Sequence, residues 1–205
     1  MIKQSRLFSY SLSFHYFCNK NKPALSATAF THVHLTIFPQ TKTIRMEIIL
    51  PHLNLPTYNI RLREVAGKYD VFDPLRRKYV ALTPEEWVRQ HFVNFLIEQR
   101  DYPSGLMANE VSLNLNGLSR RCDTVVYDRH VRPRVIVEYK RPTVRITQKV
   151  FDQISRYNIV MQVDYLIISN GLDHYCCKMD YEHQTYAFIQ NIPNFSEVPP
   201  IEASE

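Results

Sequence analysis

Two short apolar segments separated by one amphipathic segment constrain the fold of this chain more than any other feature. Residues 134–139 and 164–169 are apolar and rich in β-branched side chains, and Asn170-Gly171 stops the second segment. The segment between them, 147–161, has a helical period, and the residues that line one side of it are Val150, Phe151, Ile154, Asn158 and Met161. Strand, helix and strand in this order predict a right-handed crossover and a parallel strand pair.

A helix start signal precedes this unit. Thr83 can cap a helix, Pro84 suits its first turn, and Glu86 three residues after Thr83 completes a capping box. We therefore predict a helix that runs to about Arg100. The residues of its apolar face are Trp87, Val88, Phe92, Phe95 and Leu96.

Strand-like segments lie on both sides of these helices. Residues 110–115 alternate apolar and polar side chains up to a tight Asn116-Gly117 turn, and 122–127 is β-branched. Residues 186–192 suit an edge strand, and 46–80 reads as irregular with short strands. The fold class that this order predicts is α/β (α+β), with a central mixed β-sheet flanked by helices.

The charge of the chain is unevenly distributed. The net charge is +5, but residues 1–45 contain six basic residues and no acidic one. For 46–205 there remain 19 basic and 20 acidic residues, a net of −1. We expect a poorly ordered basic leader over 1–45, a single domain over 46–195 with its core at 80–180, and a loose tail over 196–205.

Three interpretations of the leader stay open. Lys3 and Arg6 before an apolar stretch resemble a signal peptide, although serines and a histidine interrupt that stretch. The leader could instead be a basic arm that binds nucleic acid. The interpretation we favour is an upstream extension that is not native, with Met46 as the true start.

Composition excludes several classes of protein. The sequence has no long apolar run, which excludes a membrane-spanning helix. Its four cysteines have no CxxC spacing, so a structural zinc site is not expected. A cytoplasmic location is the expectation, since nothing calls for disulfides.

Two carboxylates are predicted to face each other across a hairpin. If the polar residues 129–132 form a four-residue loop that joins Asp128 to Pro133, paired positions sum to 261, and Asp123 lies opposite Glu138. Like charges at such a position destabilise a hairpin unless a cation bridges them. Carboxylate oxygens are ligands that Mg²⁺ prefers. Lys140 projects from the same face as Glu138.

The same residues resemble a known nuclease pattern. Asp123, followed by Glu138-Tyr139-Lys140 at the end of an apolar strand, is similar to the PD-(D/E)xK motif, with Cys122 at the proline position. The segment Gln153-Ile154-Ser155-Arg156-Tyr157 is similar to the QxxxY motif of the RecB-like branch. Together they most resemble the N-terminal nuclease domain of type I restriction enzyme R subunits, over about residues 80–180.

This resemblance implies a restriction-endonuclease-like core and a role for each matching residue. Asp123 and Glu138 would bind Mg²⁺, for which Mn²⁺ can substitute, together with the backbone carbonyl of Tyr139, and Lys140 would position the attacking water. Glu86 would correspond to the upstream acidic residue of the family. The residues expected to contact the substrate are Gln153, Tyr157, Arg141 and Lys149.

Each of these signals has an alternative explanation. An ExK sequence in a strand can be a surface ion pair, and Glu86 can serve only as a capping residue. Gln153 and Tyr157, four residues apart, can form an ordinary helix surface pair. The order of acid, ExK strand and QxxxY helix favours the nuclease interpretation.

The function expected from the sequence is hydrolysis of DNA phosphodiester bonds by a Mg²⁺-dependent endonuclease-like domain. Basic residues outnumber acidic ones over 120–156, as phosphate contacts require. DNA and other subunits of a restriction system are the expected partners. No Walker-type loop exists in the sequence, so ATP-driven translocation is excluded. The alternative is a catalytically silent module of the same fold that binds nucleic acid or a partner.

Overall fold

The computed structural model of the protein describes residues 30–32, 49–115 and 118–198. The α-helices of these ranges are α1 (Pro84–Arg100) and α2 (Gln148–Met161), and single 3-10 turns occupy Ser104–Leu106 and Phe195–Glu197. The strands of the same ranges are, in chain order, β1 (Phe30–His32), β2 (Ile49–Pro51), β3 (Leu62–Val65), β4 (Lys68–Asp73), β5 (Lys78–Ala81), β6 (Met107–Leu115), β7 (Leu118–Tyr127), β8 (Pro133–Tyr139), β9 (Tyr165–Ser169), β10 (His174–Asp180) and β11 (Thr185–Ile189).

A six-stranded mixed sheet forms the centre of the fold. Its strand order is β11-β10-β9-β8-β7-β6. Strands β8 and β9, which α2 connects, are parallel, and the other neighbouring pairs are antiparallel. The predicted parallel pair and the predicted α/β (α+β) class with a helix-flanked mixed sheet are confirmed.

The two helices cover opposite faces of this sheet. Because successive strand residues point to opposite faces, β8 contributes to two separate cores. Val135 and Val137 pack in the core that includes Phe92 of α1. Ile136 packs in the second core with Ile154 of α2. Burial on both faces explains why the three residues of β8 directly before Glu138 are all apolar.

Helix α1 begins and ends as the sequence predicts. The Thr83 hydroxyl accepts a hydrogen bond from the backbone N–H of Glu86 at 3.0 Å. The helix ends at Asp101, whose φ of 58° is left-handed. The reciprocal half of the predicted capping box is replaced, because the Glu86 carboxylate accepts from Arg76 instead.

The strand predictions need three corrections. The short strands predicted within the otherwise irregular segment 46–80 are observed, but β3, β4 and β5 join into a separate antiparallel sheet that was not predicted. Strand β10 was not predicted. The predicted edge strand 186–192 is β11, and it ends earlier, at Ile189. The predicted Asn116-Gly117 turn lies outside the described residues.

Both ends of the described chain contact the domain. β1, which falls within the predicted leader, pairs antiparallel with β2; the rest of 1–45 lies outside the described residues. At the other end, Val198 is 8% exposed, so the predicted tail begins with ordered residues. Residues 199–205 lie outside the described part. Neither described helix is long and apolar enough to cross a membrane.

Candidate active site

The register of β7 and β8 brings Asp123 and Glu138 to the same end of the hairpin. Thr124 pairs with Val137 and Val125 with Ile136, so paired numbers sum to 261 as predicted. The last pair of this ladder is Thr124 with Val137, and Asp123 and Glu138 are the next residue on each strand. The register of the hairpin was therefore predicted correctly.

The loop that closes the hairpin differs from the prediction. Tyr127, not Asp128, pairs with Pro133, after a register shift between Val126 and Tyr127. The Asp128 carboxylate accepts from the backbone N–H groups of His130 and Arg132 at 2.8 and 3.0 Å. These bonds hold Asp128 in the turn and out of the ladder. The loop therefore has five residues, and the shift restores the predicted register.

The backbone is irregular where Asp123 leaves the ladder. Cys122 and Val125 lie in the same core, although residues three apart in a regular strand point to opposite faces. Glu110, the residue of β6 across from Asp123, has a φ of 59°. Local distortions of this kind redirect side chains. Here the distortion accompanies the contact of Asp123 with α1.

Both carboxylate oxygens of Asp123 have partners. Arg89 of α1 donates from Nη2 to Oδ1 at 2.9 Å. The backbone N–H of Tyr139 donates to Oδ2 at 2.8 Å. Burial nevertheless raises the pKa of Asp123 above its ordinary value, with these two partners opposing the change. Asp123 is thus held in a fixed orientation beside Glu138.

Glu138 has one occupied oxygen and one buried oxygen without a partner. Lys140 donates from Nζ to Oε1 at 2.9 Å, whereas Oε2 has no hydrogen-bond partner among the described residues. Burial and the neighbouring charge of Asp123 raise the pKa of Glu138 to about 7. Burial alone would lower the pKa of Lys140, but the Glu138 carboxylate outweighs it and raises that pKa.

The start of α1 contributes two carboxylates with different surroundings. Glu86 accepts from Arg76 at 2.7 Å and from Gln90 at 2.8 Å. Glu85 is electrostatically coupled to the Asp123–Glu138 pair, since burial and then the charge of Asp123 raise its pKa. The metal role of Glu86 stays a prediction. Sequence spacing does not distinguish two adjacent acids in a first helical turn, and Glu85 was missed for that reason.

Arg89 is the second residue that sequence reasoning missed. Its side chain is 4% exposed and contacts three carboxylates, those of Glu86, Glu110 and Asp123. Glu110 also binds Arg121 at 2.7 Å. We call the five carboxylates around Arg89 and Lys140 the acid cluster; its members are Glu85, Glu86, Glu110, Asp123 and Glu138.

A magnesium ion suits part of this cluster. Across the described residues, no three His, Cys, Asp or Glu side chains converge closely enough to hold a metal by themselves. Mg²⁺ does not require such a set, since it commonly binds one or two carboxylates and keeps waters or substrate phosphates. The buried, unpartnered Oε2 of Glu138 beside Asp123 fits this demand. The residues present are therefore compatible with a Mg²⁺ site.

The predicted substrate-binding residues lie on α2 and in the loop that follows β8. Positions 153 and 157 lie on α2, one turn apart, and the side chains of Gln153 and Tyr157 lie outside what the structure describes. Arg141 follows Lys140 directly, and Lys149 lies in the first turn of α2; both are exposed. Their roles stay predictions.

Comparison with known proteins gives one family. The family described as type I restriction enzyme R protein N terminus (HSDR_N) matches residues 84–193. No curated protein matches the chain. One similar solved structure is a fragment assigned to an HsdR subunit of a type I restriction enzyme from Vibrio vulnificus, with 15% identity and a TM-score of 0.43. The alignment covers 57% of this chain and 24% of that one.

Proposed function

Because this chain belongs to the family of type I restriction enzyme R protein N termini, we propose that it is a divalent-metal-dependent nuclease domain of the PD-(D/E)xK type that hydrolyses phosphodiester bonds of DNA. The observation that carries the proposal is the buried oxygen Oε2 of Glu138, which has no partner among the described residues. It lies in a carboxylate pair with Asp123, next to Lys140. A buried carboxylate oxygen without a donor is costly unless a cation or a proton satisfies it.

The pair and Lys140 have different tasks in the proposed reaction. Asp123 and Glu138 would hold Mg²⁺, or Mn²⁺ in its place, together with the backbone carbonyl of Tyr139. When bound, the metal supplies Lewis-acid polarisation of the scissile phosphate. The ammonium of Lys140, held by Glu138 at 2.9 Å, orients the attacking water and stabilises developing negative charge.

In this proposal, substrate contacts come from exposed basic residues and from α2. Arg141 and Lys149 are exposed and bind DNA phosphates. Gln153 and Tyr157 on α2 hold the substrate strand. Other subunits of a restriction system are the proposed protein partners, and the cytoplasm is the proposed location. No ATP-dependent step is assigned to this chain, whose sequence has no Walker-type loop.

A second candidate function rests on a specific observation. Arg89 and Lys140 already pair with Asp123 and Glu138 at 2.9 Å each, which neutralises both carboxylates without a metal. A domain of this kind could bind nucleic acid or a partner subunit without cleaving. This is the catalytically silent alternative.

Cleavage assays separate the two functions. The full chain is incubated with supercoiled plasmid or single-stranded DNA in Mg²⁺, Mn²⁺ or EDTA, and gel shifts under the same conditions measure binding. The nuclease proposal expects cleavage that EDTA abolishes and that Glu138→Gln removes. DNA binding with no metal-dependent cleavage by the wild type would favour the silent module.

A further inference from the structure

Arg89 connects three members of the acid cluster through one buried guanidinium. Its Nη2 lies 2.9 Å from Oδ1 of Asp123, and its Nη1 contacts Glu110 and lies 3.4 Å from Glu86. The side chain is 4% exposed, so solvent screens these pairs weakly. The charges of Asp123 and Glu86 raise the pKa of Arg89 despite its burial, so the guanidinium stays charged.

A divalent cation at the Asp123–Glu138 pair would meet Arg89 at the same carboxylate. Oδ1 of Asp123 accepts from Arg89 and Oδ2 from the backbone of Tyr139, so Arg89 and a metal bound to Asp123 would both be attracted by the charge of this one carboxylate. Resting on the metal site of the proposed function, we propose that Arg89 is the built-in counter-cation of the acid cluster, which stabilises the domain without metal and competes with a divalent metal for Asp123.

Two effects of removing Arg89 oppose each other, and the charge effect is the larger. Loss of the guanidinium removes one of the two hydrogen bonds that fix the Asp123 carboxylate, and a less well oriented carboxylate binds a metal more weakly. The hydrogen bond from the Tyr139 backbone still fixes Oδ2, so most of the orientation survives. Loss of a buried positive charge a few ångströms away strengthens the attraction of both carboxylates for a divalent cation. Metal affinity therefore rises while stability without metal falls.

Isothermal titration calorimetry of the full chain with Mn²⁺ alone, above pH 8, tests the competition between Arg89 and the metal. We expect Arg89→Met to bind Mn²⁺ about tenfold more tightly than the wild type, as removal of one nearby unit charge predicts. Arg89→Lys keeps the positive charge but loses the planar guanidinium with its several N–H donors, so we expect an intermediate affinity for Mn²⁺. Arg121→Met is the matched control, because the exposed Arg121 binds Glu110 but not Asp123; its Mn²⁺ affinity should change little.

A second measurement tests the counter-cation without metal. Asp123→Asn is introduced into the wild type and into Arg89→Lys and Arg89→Met, and urea unfolding in EDTA gives the change in midpoint. In the wild type this substitution should lower the midpoint, because it removes a partner of a buried cation. In Arg89→Met it should raise the midpoint, because it relieves repulsion among carboxylates. If Arg89→Met does not fold, a smaller loss in Arg89→Lys than in the wild type carries the same meaning.

The outcomes distinguish this inference from the proposed function. Tighter Mn²⁺ binding with a midpoint effect that depends on Arg89 supports the inference. If the wild type binds Mn²⁺ and Arg89→Met binds it equally or more weakly, the competition is overturned, whereas the metal site is still supported. Equal midpoint effects in all backgrounds overturn the counter-cation role. Absence of Mn²⁺ binding in every variant overturns the metal site and the competition together.

Discussion

Lys140 and Arg141 are adjacent basic residues with different surroundings. Lys140 is half-buried and pairs with Glu138 at 2.9 Å, whereas Arg141 is exposed in the loop that follows β8. If Lys140 acts on the attacking water or on transition-state charge, Lys140→Ala lowers the cleavage rate on the order of 100-fold with little loss of DNA binding. Single-turnover cleavage and filter binding measure the two quantities.

The pH of this comparison matters. Lys140 lowers the pKa of Glu138, so its removal also favours the protonated carboxyl. Assays above pH 8 keep Glu138 ionised and isolate the effect on the reaction. Arg141→Ala is the matched control, for which we expect weaker binding and a smaller salt dependence. Equal losses of rate from the two substitutions would contradict a catalytic role for Lys140.

Glu138 should give the stability of the domain a characteristic pH dependence. Burial and Asp123 raise its pKa from 4.5 to about 7 in the folded chain. A carboxyl with a raised pKa binds its proton more tightly when folded, so the free energy of unfolding falls as pH rises from about 4.5 to about 7. Glu138→Gln removes this titration and should flatten the profile, which urea unfolding in EDTA from pH 5 to 8 measures.

A surface substitution provides the reference for that profile. Glu182 is exposed in the turn between β10 and β11, and Glu182→Gln should leave the pH dependence as in the wild type. Burial also raises the pKa of Asp123, so some slope remains in Glu138→Gln. Identical profiles for the wild type and both variants would show that Glu138 does not titrate near neutral pH.

At the scale of elements, the two helices begin in different ways, although a threonine precedes each. The Thr83 hydroxyl caps α1 by accepting from the Glu86 backbone at 3.0 Å, whereas Thr147 makes no side-chain cap bond to α2. Thr83→Ala should lower the free energy of unfolding by about 1 kcal/mol. Thr147→Ala should change it little, so this pair of variants is internally controlled. Chemical denaturation of both variants checks the difference.

The cap also connects stability to the proposed site. Glu85, Glu86 and Arg89 all lie in the first two turns of α1, which fray when the cap is lost. We therefore expect Thr83→Ala to lower Mn²⁺ affinity as well, and Thr147→Ala to leave it unchanged. A stability loss in Thr83→Ala without any change in Mn²⁺ affinity would separate α1 from the metal site.

The elements that sequence reasoning found are those with local signals. α1 follows from Thr83-Pro84 and α2 from its apolar period, and both are observed within a residue of their predicted starts. β10 was not predicted because Cys176 interrupts its alternation of apolar and polar residues. Cys176 and the adjacent Cys177 are buried in different cores, whereas Lys178 is exposed.

The candidate site also contains features that have a local sequence signal and features that do not. The position of Asp123 and Glu138 at the same end of the hairpin was predictable, because it depends only on the register of that hairpin. The contact of Arg89 with Asp123 joins residues 34 positions apart on a helix and a strand. Such a contact depends on how α1 packs across the sheet and on the distortion at Glu110, and neither has a local sequence signal.

For the whole molecule, the segment before α1 decides where the domain can be shortened. Leu50 and Leu53 are buried in the core that α1 covers. The Trp87 indole donates to the carbonyl of Pro51 at 3.1 Å, and Asn54 donates its backbone N–H to Gly171 at 2.7 Å. Residues 49–54 therefore belong to the domain, although they lie before the family match at 84–193.

A chain that starts at Met46 should consequently fold with the helix content of the full chain. It loses β1, whose described contribution is a three-residue pairing with β2 outside the six-stranded sheet. It keeps Leu50, Leu53 and the bonds to Trp87 and Gly171. Far-ultraviolet circular dichroism and thermal melting are the measurements, and we expect a small decrease in melting temperature at most.

The control for this truncation is a chain that starts at Arg63. That chain loses Leu50 and Leu53, which exposes the apolar face of α1 and leaves a gap where each buried leucine contributed several kcal/mol, about 2–5 by analogy with large-to-small core substitutions. It also leaves the Trp87 indole N–H without its acceptor. We expect it to unfold or to melt far below the chain that starts at Met46. If both truncated chains have melting temperatures close to that of the full chain, residues 49–62 are dispensable. If both truncated chains are unfolded, the pairing of β1 with β2 contributes to the stability of the domain.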